Sequence, residues 1–275
     1  MIEVGEHHAP TLPSDPGRAC PDTVRVMEGY DERTYGDAFA DVYDEWYHGI
    51  SDIDTTVADL LDLAGSGPIL ELGVGTGRLA VPLAVAGAPA GIEVVGVDAS
   101  AAMLARLAER DPARIVRSVI GDMLAEQPSG PFSLVFVAYN TLFNLTGEGA
   151  HAACFDAVAA RLTPGGRFVV EAFVPDDPPR HGDDVGVRSV TADRVVLSVT
   201  VHRPERQSAE GQFVEFTESG GVRLRPWSIR YSTPSQLDQF AAAAGFELEN
   251  RWESFGREPF GCDSPRHVSV YRLRR

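Results

Sequence analysis

The stretch Ile-Leu-Glu-Leu-Gly-Val-Gly-Thr-Gly-Arg, residues 69–78, ends an apolar strand in an acidic residue and then places glycine at Gly73, Gly75 and Gly77. Glycine lets the backbone turn sharply and lie close against a ligand, because no Cβ holds the ligand away. The apolar residues over 79–86 predict a helix whose N-terminal N–H groups face the same crevice. The stretch therefore predicts a strand, a glycine turn and a helix around a bound ligand.

A second apolar strand, predicted over residues 92–97, ends in Asp98, which lies about twenty residues beyond the last glycine. Nucleotide-binding α/β folds place a carboxylate at this point for the ribose hydroxyls. Dinucleotide-binding turns read G-x-G-x-x-G, whereas this turn reads G-x-G-x-G behind Glu71 and has no basic residue aimed at a phosphate. The two segments together indicate a nucleoside site.

In this turn the chain resembles the class I S-adenosylmethionine (AdoMet) dependent methyltransferases, whose first motif is E/D-x-G-x-G-x-G. Four more segments follow in the family's order, at residues 94–98, 119–123, 132–138 and 162–171. The resemblance is to the small-molecule tailoring enzymes of natural-product biosynthesis, including the amino-sugar N-methyltransferases. It implies a seven-stranded Rossmann-like α/β sheet with helices on both faces, and AdoMet as the cofactor.

The resemblance also implies roles for individual residues. Glu71 is placed for the methionine ammonium, Asp98 for the ribose and Asp122 for the adenine amine, with Met103 packed on the adenine ring. Residues 35–43 resemble an entry helix whose tyrosines close over AdoMet, although an aromatic stripe at helical spacing is more often plain core. The other candidates for cofactor binding are Tyr35, Tyr43, Gly73, Gly75, Gly77, Ala99, Met123 and Ala138.

Composition excludes several classes of function. Asp and Glu number 40 against 24 Lys and Arg, which gives a net charge of −16, so the surface repels nucleic acid. Every basic residue is arginine, and chemistry that needs a lysine Schiff base is excluded. The three cysteines have neither disulfide-framework nor zinc-type spacing, so we expect reduced thiols and no metal. With no apolar leader or membrane anchor, we expect a cytoplasmic protein.

The pattern along the chain predicts five parts. Residues 1–22 are proline-rich and predicted to be a disordered tail, and residues 23–64 a helical cap that includes one amphipathic helix over 35–47. Residues 65–174 alternate strand and helix as the AdoMet-binding core. Residues 175–231 contain short alternating runs and a Gly-Gly hairpin signal, which predicts an antiparallel β insertion shaping the acceptor pocket. Residues 232–275 complete the core.

The resemblance places the tip of the fourth strand beside both cofactor and acceptor. Asn140 is therefore a candidate for orienting an amine or hydroxyl, although a helix N-cap is the alternative. Bases considered for proton removal are His267, His48, Glu171 and Tyr139, with structural or solvated roles as the alternatives. The catalytic candidates are Tyr139, Asn140, Glu171 and His267. The candidates for substrate binding are Phe143, Asn144, Trp227, Arg230 and Tyr231; core packing is the alternative for Phe143, and seam packing is the alternative for the last three.

The function expected is methyl transfer from AdoMet to nitrogen or oxygen of a small molecule, with a homodimer as a further possibility. One alternative keeps AdoMet but catalyses a cyclisation or rearrangement. A remote alternative is a nicotinamide-dependent oxidoreductase, against which the spacing of the turn counts.

Overall fold

The structure is a computed structural model that describes residues 27–274. The tail predicted at residues 1–22 lies outside the described residues. None of the described helices is long and apolar enough to cross a membrane.

The helices are α1 (Thr34–Phe39), α2 (Tyr43–Trp46), α3 (Ile53–Ala64), α4 (Ala80–Gly87), α5 (Ala101–Arg110), α6 (Ala150–Ala159) and α7 (Pro234–Ala243). The strands are β1 (Ile69–Leu72), β2 (Val94–Asp98), β3 (Val116–Ile120), β4 (Phe132–Val137), β5 (Leu162–Phe173), β6 (Gly182–Val190), β7 (Arg194–Arg203), β8 (Ser208–Thr217), β9 (Val222–Arg230), β10 (Phe246–Trp252) and β11 (Arg266–Leu273).

The core is a seven-stranded sheet in the order β10-β11-β5-β4-β1-β2-β3. Strands β3, β2, β1, β4 and β5 pair in parallel, whereas β11 pairs antiparallel with both β5 and β10. The carboxyl ends of the parallel strands meet at one edge, so the glycine turn after β1 and Asp98 at the end of β2 come together there. The predicted fold class, an α/β sheet of the methyltransferase kind with a small antiparallel sheet, is confirmed.

The central strands are buried on both faces of this sheet. Ile69 belongs to a hydrophobic cluster with α3 and α4, while Leu70, its neighbour on β1, belongs to a second cluster with α6 and α7. Successive side chains of a strand point to opposite faces, and helices cover both faces here. This arrangement explains why β1 and β4 are apolar at successive positions, apart from Glu71 and Ser133.

The insertion after β5 forms a separate four-stranded antiparallel sheet in the order β6-β7-β8-β9. The turn between β8 and β9 contains Gly220 and Gly221, with φ of 99° and 93°. Such left-handed backbone favours glycine, which is why this dipeptide marks the hairpin in the sequence. The antiparallel insertion is therefore present as predicted.

The N-terminal cap differs from the single helix predicted over residues 35–47. It contains the two short helices α1 and α2, separated by a turn that contains Asp41. The Asp41 carboxylate is held by Arg225, at 2.7 Å, and by Arg223, at 2.7 Å, both on β9. The predicted continuous helix was wrong, since these long-range ion pairs fix the turn between the two helices.

The cap and the insertion sheet share a small aromatic core. Phe39, which is fully buried, meets Phe213 of β8 edge to face, with ring centroids 5.9 Å apart. Trp46 meets the same ring at 5.7 Å. The aromatic residues that gave the cap its helical pattern therefore pack against the insertion, which holds the cap beside the carboxyl edge of the main sheet.

A buried ion cluster joins the cap to the insertion beside that aromatic core. Only 1% of the Arg225 side chain is exposed, and its guanidinium donates to Asp41 at 2.7 Å and to Glu215 at 2.8 Å. Removing one member of a buried ion pair leaves its partner charge without compensation, which is more damaging than loss of a surface pair. Arg225 is therefore the charged residue on which the attachment of the cap depends most.

We predict that Arg225→Ala lowers the free energy of unfolding by about 3 kcal/mol, because buried Glu215 loses its closest cation and Asp41 keeps only Arg223. Urea denaturation measures the change. The control is Arg117→Ala, which removes an exposed pair with Glu93 and is expected to cost less than about 1 kcal/mol. Equal losses in the two variants would show that the cluster does not hold the cap.

Candidate functional site

A cavity opens at the carboxyl edge of the main sheet, beneath the cap. It encloses about 700 Å³ when the space at its open mouth is included. Its walls come from the segment before α1, the cap helices, the glycine turn, the β2–α5 connection, the segment after β3 and the turn after β4. A concave space therefore lies at the edge of the sheet where the sequence predicts the nucleoside site.

The three glycines of the turn do different things. All have positive φ, but a Cβ at Gly73 would lie 2.3 Å from Thr141 Cγ2, and one at Gly77 would lie 2.9 Å from Leu107 Cγ. A Cβ at Gly75 would meet nothing closer than Met103 Sδ at 4.0 Å. Gly73 and Gly77 are thus required for close packing of the turn. Gly75 leaves open the space into which a ligand fits.

Asp98 closes β2 and faces the cavity. Its carboxylate accepts hydrogen bonds from the backbone N–H of Gly75, at 2.8 Å, and of Ser100, at 2.9 Å. Burial raises the pKa of this carboxyl group. Each carboxylate oxygen has a second lone pair, so Asp98 can accept ligand hydroxyls while it holds the turn.

The far end of the cavity has an apolar floor and a second carboxylate. Met103, on the first turn of α5, is 2% exposed and lines the cavity with Ala99 and Met123. Asp122 Oδ1 accepts from the N–H groups of Leu124, at 2.7 Å, and Ala125, at 2.6 Å, which fixes the direction of its carboxylate. An apolar plate beside an oriented carboxylate can bind the flat ring and the amino group of adenine.

Glu71 lies at the end of β1 with only 4% of its surface exposed. Its Oε2 atom is buried and has no hydrogen-bond partner among residues 27–274. Burial raises its pKa to about 8, although nearby Arg78 opposes the shift. A buried carboxylate without a partner is costly, so a cationic ligand group beside it would be stabilising. Glu71 does not itself line the cavity, but it lies two residues before Gly73, which does, and its charge suits the cationic amino group of AdoMet.

Four tyrosines form a continuous wall from the cavity to the tip of β4, which we call the tyrosine wall: Tyr35, Tyr43, Tyr47 and Tyr139. The Tyr35 hydroxyl donates to that of Tyr47 at 3.3 Å, and the Tyr43 and Tyr47 rings lie 4.9 Å apart. Tyr47 meets Tyr139 edge to face at 5.6 Å. Tyr35 and Tyr43 line the cavity, and burial raises the pKa of both phenols, so their hydroxyls stay protonated.

The tip of β4 has a strained backbone. Tyr139 and Asn140 have φ of 46° and 65°, in the left-handed region. The N–H of Tyr139 donates to Glu171 Oε2 at 2.9 Å, and Asn140 Oδ1 accepts from the N–H of Phe173 at 2.7 Å. The Asn140 side chain is therefore bonded to backbone, and Glu171, whose pKa is raised by burial, supports Tyr139 from behind.

The other candidate residues near this tip differ in whether they line the cavity. Asn144 lines the cavity, whereas Phe143 is fully buried and packs on Phe173 at 5.0 Å. Ala138 is 7% exposed, belongs to the core cluster and does not line the cavity.

His267 lies away from the cavity on β11. It is fully buried, its Nδ1 is 2.8 Å from Ser269 Oγ, and burial lowers its pKa to about 4. It shares a face of the sheet with Ser269 and Tyr271, and the Tyr271 hydroxyl donates to Asp238 of α7. His48 is exposed, with Nδ1 2.8 Å from the Glu45 carbonyl oxygen. The structure does not bring either imidazole into the cavity lining.

The candidates at the end of the insertion lie at its seam with the core. Trp227 packs on Phe213 at 6.3 Å, and Arg230 Nε donates to the carbonyl of Thr146 at 3.1 Å. Tyr231 packs on Phe173 at 6.1 Å. None of the three lines the main cavity, although Arg230 and Tyr231 line a smaller one beside α6 and α7.

Sequence reasoning missed the segment immediately before α1. Tyr30, Asp31 and Glu32 line the cavity, and the Tyr30 hydroxyl accepts from the N–H of Ser228 on β9 at 3.2 Å. Burial raises the pKa of Tyr30 to about 12. This segment has neither a motif nor a periodic pattern, so only the contact with β9 reveals it. Three further lining residues were missed, namely Gly36, Thr141 and Leu145.

Comparison with known proteins agrees with this geometry. A family model described as a methyltransferase domain matches residues 69–166. The cypemycin N-terminal methyltransferase of a Streptomyces species is 30% identical over 202 residues, which cover 71% of this chain and 79% of that protein. The CcbJ methyltransferase from Streptomyces caelestis is 39% identical, with a TM-score of 0.80, over 90% of this chain and 100% of that one.

A third structure, with a bound cofactor, shows the same fold. SAM-bound CalS10, an amino pentose methyltransferase from Micromonospora echinaspora, has a TM-score of 0.62 over 84% of this chain and 96% of that one. It is 23% identical to this chain.

We predict that Asp98→Asn weakens binding of AdoMet and of its demethylated product by roughly 10- to 100-fold. The reason is that hydrogen bonds to a charged acceptor contribute about 1.5–3 kcal/mol. Titration calorimetry with both ligands measures the loss. Asp54→Asn, an exposed substitution on α3, is the control and should bind as wild type does. Unchanged binding by Asp98→Asn would contradict the ribose assignment.

We predict that Glu71 makes the protein less stable as pH rises. Its pKa is raised on folding, so the folded state holds a proton that the unfolded state has released between about pH 4.5 and the folded value of about 8. Stability contributed by the neutral form is therefore present below about pH 4.5 and lost as pH rises towards 8. Each tenfold difference in proton affinity between the two states corresponds to about 1.4 kcal/mol.

Urea denaturation at a series of pH values tests this expectation. Glu71→Gln should lose less stability than wild type between pH 5 and 8, while Glu93→Gln, an exposed control, should follow wild type. Saturating AdoMet should also reduce the wild-type pH dependence, because its ammonium compensates the buried carboxylate. Identical pH profiles of stability for wild type and Glu71→Gln would contradict the raised pKa of Glu71 in the folded protein.

Proposed function

Since the chain belongs to the AdoMet-dependent methyltransferases, we propose that it methylates an amine nitrogen of a small molecule, as a tailoring enzyme of natural-product biosynthesis. The observation that best supports this proposal is at the tip of β4, where Tyr139 of the tyrosine wall donates its backbone N–H to Glu171 and packs its ring against Tyr47. The names of two relatives support it, since one is an N-terminal methyltransferase and the other an amino pentose methyltransferase.

Methyl transfer requires the protein mainly to position the acceptor and the methyl donor. Bound AdoMet supplies a methyl carbon on a cationic sulfur, which an acceptor attacks in line. The protein must hold the acceptor against that carbon and exclude water, and no covalent enzyme intermediate is required. The binding roles we propose are Gly75 and Asp98 at the ribose, Asp122 and Met103 at the adenine, and Glu71 at the ammonium.

The tyrosine wall suits a basic acceptor. Aromatic faces attract cations, and a carboxylate placed behind them adds to that attraction. An amine arrives largely as an ammonium ion and must lose its proton before it attacks. Glu171 does not line the cavity, but it lies against the backbone of Tyr139 and burial raises its pKa towards neutral pH, so it is our candidate to accept that proton. Asn140 acts as a positioning residue, because its side chain holds the backbone of the tip.

The lining of the cavity argues for nitrogen over oxygen. An alcohol is a weak nucleophile and needs a base to remove its proton during transfer, a task for which histidine is best suited. Among the described residues that line the cavity there is no histidine, and the imidazole of His267 lies elsewhere; the carboxylate nearest the tip of β4, Glu171, lies behind the lining and bonds to the backbone of Tyr139. An amine that has lost its proton attacks without further help.

The insertion sheet covers the acceptor side of the tyrosine wall. Arg188 of β6 places its guanidinium 4.6 Å from the Trp46 ring centroid, 5.4 Å from that of Tyr47 and 4.8 Å from that of Phe213. A guanidinium stacked in this way offers N–H donors at its edge. We propose that the acceptor is an amine that also carries oxygen groups able to accept those hydrogen bonds, such as an amino sugar or an aminoacyl compound.

Matched acceptor pairs test the nitrogen assignment. Wild-type protein is incubated with AdoMet and either an amino sugar or its parent sugar, and either a short peptide or its N-acetylated form. Mass spectrometry should find a gain of one methylene on the free amines alone. Glu171→Gln should lower kcat and move the acidic limb of its pH profile, while AdoMet binding stays unchanged.

Two outcomes would contradict the proposal. One is methylation of the parent sugar or the N-acetylated peptide at rates equal to those of the amines. The other is a Glu171→Gln variant with an unaltered pH profile. Binding of AdoMet by calorimetry is the control that separates a wrong acceptor from a damaged cofactor site.

A further inference from the structure

A β-bulge in the first strand of the insertion sheet positions Arg188. On β6, Val187 pairs with Leu197 of β7 and Ser189 pairs with the adjacent Val196, so Arg188 is the extra residue between two regular pairs. A bulge of this kind sets two residues opposite one and redirects a side chain out of the alternation of the strand. The side chain of Arg188 points to the cap, where its guanidinium lies on aromatic rings.

These rings hold the guanidinium of Arg188 in one orientation. Its Cζ atom lies within 5.4 Å of the ring centroids of Trp46, Tyr47 and Phe213, the range of cation–π contacts. Such stacking uses the flat face of the guanidinium and leaves the N–H donors at its edge free. None of these donors has an acceptor among residues 27–274, and the side chain is exposed, so a ligand can reach them.

Arg188 also differs in charge balance from other arginines on this side of the sheet. Arg225 is paired with Asp41 and Glu215, and Arg194 is paired with Glu215 as well. No carboxylate lies within 4.0 Å of the Arg188 guanidinium in the part of the chain that the structure describes. Water can solvate an exposed arginine, so the missing partner alone indicates no ligand. A guanidinium held in place without a counter-charge, however, is prepared to bind an anion.

The guanidinium of Arg188 lies beside the acceptor end of the tyrosine wall, outside the lining of the main cavity. The Tyr47 ring that it contacts meets Tyr139 edge to face at 5.6 Å. Burial raises the pKa of Tyr139, and the charge of Arg188 opposes that rise. Arg188 is thus close to the tip of β4, where the proposed function places the amine of the acceptor.

We propose that Arg188 binds a carboxylate of the acceptor, which makes the acceptor an amino acid or a short peptide. The proposal rests on the proposed function and narrows its substrate class, since the amine of the same molecule is the group that is methylated. A simple ammonium ion close to Arg188 meets like-charge repulsion. A carboxylate on the same molecule compensates Arg188 and leaves the amine free to lie towards Tyr139 and Glu171.

A carboxylate fits this site better than a phosphate does. The planar fork of a guanidinium matches the two oxygens of a carboxylate, and the two charges cancel. A phosphate monoester carries up to about two negative charges, and sites for it add helix N-termini or clusters of arginines. Here Arg194 and Arg225 are already paired with carboxylates of the protein. The guanidinium of Arg188 is therefore matched to a single carboxylate.

Calorimetry on the protein saturated with the demethylated product of AdoMet tests the proposal without turnover. The ligands are alanine and alaninamide, and alanylalanine and its C-terminal amide, so that each pair differs only in the carboxylate. Wild type should bind each free acid roughly 10- to 100-fold more tightly than its amide, the range expected for charge-assisted hydrogen bonds. High salt should reduce the difference, since Arg188 is exposed.

Arg188→Gln should abolish the preference for the free acids, because the glutamine amide supplies neither the charge nor the fork. Arg188→Lys should keep part of the preference, since the charge remains but the fork is lost. Both variants should bind AdoMet as wild type does. The matched control is Arg203→Gln, which removes the same charge from the end of β7 farthest from the bulge and should keep the preference.

Two results would overturn the proposal. One is equal affinity of wild type for acids and amides, including no binding of any of the four, and the other is a preference that Arg188→Gln retains. If Arg188→Gln instead weakens only glucosamine 6-phosphate, with glucosamine as its pair, the anion is a phosphate and the carboxylate assignment is wrong. A preference that depends on Arg188, together with methyl transfer to oxygen or carbon, would support the carboxylate site and contradict the nitrogen assignment, so the two failures are distinguishable.

Discussion

The hydrogen bond from the backbone N–H of Gly75 to the Asp98 carboxylate is the contact on which the site depends. It is 2.8 Å long and joins the turn after β1 to the end of β2. The same carboxylate accepts from Ser100, whose hydroxyl caps α5, so one side chain fixes a turn, a strand end and a helix start. The group that would bind the ligand's ribose is thereby held in place before any ligand arrives.

Desolvation sets the electrostatic character of this edge. Glu71, Asp98 and Glu171 all lie at or near the ends of strands of the main sheet, and burial raises the pKa of each. Buried carboxylates are costly unless something compensates them, and such perturbed groups gather where ligands bind. Here the compensation comes from backbone N–H groups at Asp98 and Glu171, while Glu71 Oε2 has none within residues 27–274. The cost concentrated at Glu71 is what a cationic cofactor would relieve.

Local pattern predicted the core well, and long-range contacts explain most of what it did not predict. The glycine turn, Asp98 and the Gly-Gly hairpin are fixed by backbone conformation over a few residues, and each lies where the sequence placed it. The turn at Asp41 depends on Arg225, far along the chain. The local sequence pattern therefore could not show that the helix ends there. The lining role of Tyr30 depends likewise on Ser228. For His267, strand alternation allowed either face, and the structure buries its ring beside Ser269 and Phe260.

The strained tip of β4 connects the cofactor side to the insertion. Two consecutive left-handed residues cost about 1–3 kcal/mol each when neither is glycine, although asparagine accepts this conformation more easily than tyrosine does. Bonds from Tyr139 to Glu171 and from Phe173 to Asn140 offset that cost. Both partners belong to β5, whose last residue leads into the insertion. The backbone position of Tyr139 is therefore set by β5, the strand from which the insertion begins, so β5 links the tip of β4 to the insertion.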